Sequence, residues 1–228
     1  MGSPIILGAI LVSAVIIGRN IKKRGLLKAQ KLILPILLII SVLFLLRVEP
    51  TVLINQIIAF ISVLIIYFFL VLYKKIPLSE DINSKDDLII KNYFQFAIIF
   101  IAFLGFLSGY LLFYIYQYPL PIVTLFMIFI SSILFYYLIW LFEGTLNSRK
   151  WLFVILLGLL ISEFFFILAF WPVSPWIAST LLIVLFYFYF GVFHLGMEGK
   201  LEIKKVWEYL LIVIVILFVI ISIMRWNY

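Results

Sequence analysis

Residues 159–176 read LLISEFFFILAFWPVSPW. The stretch holds the end of one apolar run, a turn containing Pro172 and Pro175, and the start of another run. Proline lacks the N–H that a helix interior uses and restricts the residue before it, so WPVSP reads as a boundary between two helices. Two oily helices joined by so few residues form a hairpin suited to a bilayer. One residue breaks the pattern. Glu163 is an acid in a run otherwise made of Leu, Ile, Phe, Ala and Ser.

Composition extends the hairpin reading to the whole chain. Its 228 residues are 67% hydrophobic and 12% charged, against about 45–50% and about 25% in soluble domains. A soluble fold of this length needs polar residues to cover its core. The apolar excess must therefore face lipid, which excludes the soluble, fibrous and disordered classes. Apolar runs fall at about 4–18, 32–46, 51–73, 94–116, 119–142, 151–171, 176–195 and 207–224. A bilayer core needs roughly 17–25 helical residues, so the first two spans extend into their flanks. The runs are continuous rather than alternating, which excludes a β-barrel. The expected fold is an all-α integral membrane protein: a bundle of about eight transmembrane helices in a single polytopic domain, 1–228.

The basic residues give an independent check on that threading. With the links between helices 1–2, 3–4, 5–6 and 7–8 on one side, that side carries fifteen of the seventeen lysines and arginines, from Arg19 to Lys205. Only Arg47 and Arg225 fall on the other side. The bias is that of cytoplasmic loops, and it puts both termini outside the cytoplasm. Trp140, Trp151 and Trp207 then lie at inner ends, and Trp171, Trp176 and Trp226 at outer ends, where an amphipathic ring suits the headgroup zone. The net charge of +7 is an orientation signal that also favours anionic lipid. No soluble basic domain is present to bind nucleic acid. The N-terminal run carries its positive charges after the apolar stretch, the reverse of a secretory signal peptide. Helix 1 is therefore expected to be retained, with Ser3-Pro4 at its start.

The outer connections RVEPT, YQYPLP and WPVSP are short, whereas the longest inner link is KKIPLSEDINSKDDLIIKNYF, residues 74–94. Ser84 and Asp87 there fit a capping box leading into the next span. A calcium loop is a poor match, because Lys85 and Asp86 stand where an acceptor and a glycine are needed. The proline turns near 50, 120 and 173 are unevenly spaced, which argues against an internal repeat.

Several chemistries are excluded by what is missing. The chain has no cysteine and one histidine, His194, so thiol chemistry and His or Cys metal clusters are ruled out. His194, at the inner end of helix 7, reads as an interfacial packing residue. There is no Gly-rich phosphate loop and no G-x-S-x-G motif, and no paired aspartates are expected at a helix end to hold a magnesium ion on a lipid diphosphate. Every lysine is in a loop or at an interface, so none can form a mid-membrane Schiff base. No enzymatic activity and no cofactor are expected.

Two sets of residues remain as candidates. Gly105 and Gly109, with Ala102 on the same stripe, would let helix backbones approach closely, since packing drives association in lipid. Ala14 and Gly18 repeat the spacing in helix 1. Intramolecular packing is the first reading, and a self-association face the second. The other set centres on Glu163, twelve residues after Trp151 and eight before Trp171, which places it some 12 Å below the outer end at about 1.5 Å per residue. Ser13, Ser62 and Ser108 fall at similar depth, with Asn55, Gln56, Ser179 and Thr180 slightly higher. Together these residues define a candidate intramembrane polar layer. No Lys or Arg lies within a span to neutralise the acid, so a buried Glu163 would favour its protonated form. Two roles follow for it: a hydrogen bond holding helices together, or a proton or substrate site.

The stretches LILPILLIISVLFLL (32–46), FWPVSPW (170–176) and GKLEIKKVWEYL (199–210) resemble those of uncharacterised multi-pass membrane proteins of candidate-phyla bacteria, a domain-of-unknown-function family. The resemblance implies a bacterial inner-membrane protein and carries no activity or functional residues with it. From the residues, the leading expectation is a structural, scaffold or accessory subunit. Its partners would be membrane lipids and other membrane subunits or copies of itself. The alternatives are a small secondary transporter or proton-coupled carrier using Glu163, and a lipid or hydrophobic-ligand binding protein using the Tyr-rich segment YLLFYIYQY (110–118).

Overall fold

The structure is a computed structural model that describes residues 34–43, 45, 52–73, 85–143, 148–197 and 202–223. The turn that opened the sequence reading shows how element boundaries arise. Ser174 caps the helix that follows it: its Oγ accepts from the Ile177 N–H at 3.4 Å, and its carbonyl accepts from the Ala178 N–H at 3.0 Å. Pro175 occupies the first helical position, where its missing N–H costs nothing and its fixed φ suits the turn.

Among the described residues there are seven helices and no strands. They are α1 (Leu34–Leu43), α2 (Val52–Tyr73), α3 (Lys85–Tyr114), α4 (Leu120–Glu143), α5 (Ser148–Ala169), α6 (Pro175–Met197) and α7 (Ile203–Ile223). Four segments are long and apolar enough to cross a membrane: Asn92–Tyr114, Leu120–Leu141, Lys150–Ala169 and Pro175–Gly196. Leu34–Leu43 and Gln56–Ile65 are shorter apolar helices. The apolar run at 4–18, with Ser13, Ala14 and Gly18, lies outside the described residues, as do Ser3-Pro4 and Ser84. Helix α3 begins at Lys85, nine residues before the apolar run at 94. The polar segment KDDLIIKNY continues the same helix instead of ending as a loop.

The chain divides into two compact units, residues 1–104 and 105–228, with the boundary inside α3. In the first unit, α2 and the beginning of α3 are tied by the Tyr93 hydroxyl, which donates to the Ile65 carbonyl at 3.0 Å. Leu34, Leu38 and Val42 of α1 are buried there, as are Ile58 and Ser62 of α2 and Ala97, Ile98, Ile101 and Ala102 of α3.

The second unit has an aromatic centre. Phe106 and Tyr110 of α3, Phe135 of α4, Phe165 of α5 and Phe186 of α6 are all fully buried. Phe135 and Phe186 stack at 4.2 Å, Phe106 meets Phe186 edge-on at 5.9 Å, and Tyr110 lies 4.6 Å from Phe165. Such pairs are each worth about 0.5–1.5 kcal/mol beyond their buried area.

Glycines set how closely the helices around this centre approach. Gly105 and Gly109 face Ile130 and Met127 of α4, where an added Cβ would come within 2.5 Å and 2.7 Å of flexible side-chain ends. Gly158 of α5 is tighter. A Cβ there would run into Ser132 Oγ and lie 3.2 Å from the Ile128 carbonyl oxygen, which is backbone and cannot rotate away. Ser131 reinforces this seam, its hydroxyl donating to Met127 O at 2.5 Å and reaching Gly158 O at 3.3 Å. On the other side of α6, Gly191 receives the ring of Tyr209 from α7, within 2.6 Å of where a Cβ would sit. The α4–α5 interface is the most extensive of the unit. Gly158→Ala should therefore lower stability by about 1–3 kcal/mol, and Gly105→Ala by clearly less, because Ile130 can rotate. Thermal unfolding of the two variants in the same detergent would check the order.

Candidate functional site

Helix α5 is apolar nearly all round, yet it has two distinct faces. Val154, Leu157, Ile161, Ser162, Phe165 and Leu168 are buried. Leu152, Ile155, Leu156, Leu159, Phe166 and Ile167 are exposed, from 38% at Leu159 to 60% at Leu152 and Ile167. Glu163 lies in the middle of the exposed set. It is thirteen residues from Lys150 and six from Ala169, the ends of the apolar span, so it sits roughly 9 Å inside the nearer end. An acid in so apolar a run is expected to be buried against neighbouring helices; the structure places Glu163 on the outside of its unit.

Its polar neighbour is Tyr189 of α6, close enough for the carboxyl and the phenol to act on each other electrostatically. Antiparallel helices explain the meeting. Side chains lean toward the N-terminus of their own helix, so Glu163 and Tyr189 lean toward each other from opposite ends. Phe164 supports the tyrosine ring, with centroids 6.2 Å apart. Among the described residues neither Glu163 nor the Tyr189 hydroxyl forms a hydrogen bond, and no third acid or histidine joins them to make a metal site.

The other candidates are used differently. Ser62 donates to Ile58 O at 2.6 Å, Ser179 to Pro175 O at 2.6 Å and Thr180 to Trp176 O at 2.8 Å. Each hydroxyl is spent on the carbonyl one turn back in its own helix. Thr124 and Ser222 follow the same rule. Ser108 is buried and has a partner of its own. Gln56 is exposed, while Asn55 lies on α2 with its side chain outside the described residues. In the second unit, then, the structure does not join Ser108, Ser179 and Thr180 to Glu163 by any described hydrogen bond. Ser62 and Gln56 belong to the first unit.

The Tyr-rich segment has a structural use. The Tyr114 hydroxyl donates to Ala169 O at 3.0 Å and reaches Trp171 O at 3.4 Å, and Tyr110 reaches Phe165 O at 3.5 Å. The Ala169 and Trp171 carbonyls belong to the last turn of α5 and the turn after it, where a helix leaves acceptors without intrahelical partners, and the Phe165 carbonyl lies one turn earlier. Beyond α3, Gln117 adopts a positive φ of 52° and Tyr118 N–H returns to Leu112 O at 3.3 Å, which turns the chain into α4. His194 stacks on Phe190, with ring centroids at 5.8 Å and planes 6° apart.

A family model described as Protein of unknown function (DUF5656) matches residues 12–223. The chain belongs to this family. The match takes in every helix described above, along with Glu163, Tyr189 and the glycine contacts. Neither the curated proteins nor the solved structures contain a match to the chain.

Three features escaped the sequence reading. Gly158 carries the tightest helix contact, and its signal was a lone glycine opposite the Ser131-Ser132 pair of the preceding span. Tyr114 caps a neighbouring helix and Tyr110 reaches the same helix one turn earlier, which their four-residue spacing allows by placing both hydroxyls on one face. The pairing of Tyr189 with Glu163 had no sequence signal beyond antiparallel order. If Tyr114 is the cap, Tyr114→Phe should cost about 0.5–1 kcal/mol. Tyr110→Phe, which loses only a long 3.5 Å contact, should cost less. Denaturant titration of both variants in mixed micelles would separate them.

Proposed function

We propose that the chain is a non-catalytic multi-pass subunit of the bacterial cytoplasmic membrane, acting as a scaffold or accessory component. The observation that carries this reading is the position of Glu163, exposed on the outer face of α5, while the hydroxyls of Ser179 and Thr180 turn back onto their own helix. A carrier needs polar groups lined along an internal path. An acid on the outside of a helix unit instead supports contact with another protein in the membrane, because an unsatisfied carboxyl facing acyl chains is costly. The proposal includes eight spans, both termini outside the cytoplasm, no enzymatic chemistry, and lipids and membrane subunits as partners.

Two measurements test it. After gentle extraction, native mass spectrometry should find the chain in complexes; a lone monomer under every mild condition would overturn the subunit reading. For the threading, single cysteines can be placed in a chain that has none of its own. Tyr118→Cys should react with a membrane-impermeant thiol reagent applied to intact cells stripped of their outer barrier. Glu202→Cys should react only after the membrane is permeabilised. Equal labelling of the two would refute the proposed orientation.

A further inference from the structure

We draw no further inference here: the strongest candidate, the exposed apolar face of α5 that carries Glu163, is an unpartnered helix face, and nothing in the structure shows what covers it.

Discussion

Hydrocarbon gives a polar group no water to bond, so each one in a membrane span must find its partner within protein. The constraint fits most of the polar detail in the described helices, four of which are long and apolar enough to cross a membrane. Serine and threonine hydroxyls bond the carbonyl one turn behind them, at Ser62, Thr124, Ser131, Ser179, Thr180 and Ser222. Tyrosines reach farther and satisfy carbonyls of neighbouring helices, at Ile65 from Tyr93 and at Ala169 from Tyr114. Among the described residues, Ser132 Oγ is the buried side-chain oxygen that lacks such a partner, and it is wedged against Gly158 of the next helix. Glu163 is the larger exception, because its carboxyl is open on the outside of the unit.

Packing takes the place that the hydrophobic effect holds in water. Lipid tails are as apolar as leucine, so burying a leucine between helices gains little by transfer alone. Close approach and shape must do more. The glycines of α3, α5 and α6 supply the first, each received by a side chain of the next helix. The aromatic centre of Phe106, Tyr110, Phe135, Phe165 and Phe186 supplies the second. The residues that fill this core are of the same kinds as those facing outward, such as Phe129, Phe166 and Phe170.

That sameness decides how much could be read from sequence. Helix ends were legible, because prolines, capping residues and changes from apolar to polar mark them: the run 51–73 became Val52–Tyr73, and the Ser174-Pro175 pair opens α6. The polar first turns of α3 were harder, since KDDLIIKNY has no breaker before the apolar run. Faces were not legible. On a soluble helix the apolar stripe marks the core, but α5 is apolar on both sides, so periodicity alone could not say whether Glu163 points inward or outward. The polar candidates shared a depth in the sequence argument. Depth along a helix is one coordinate, and the direction around its axis, which decides contact, is another.

The notch at Gly191 has a meaning in time. A chain made from its N-terminus emerges in order, so the shallow site on α6 is complete before residue 209 leaves the ribosome. Tyr209 of α7, whose ring fills the notch and lies 6.2 Å from that of Tyr187, can arrive only afterwards. Docking of α7 therefore follows the making of α6 and is made against a surface already in place, with the Tyr209 ring seated in the glycine gap.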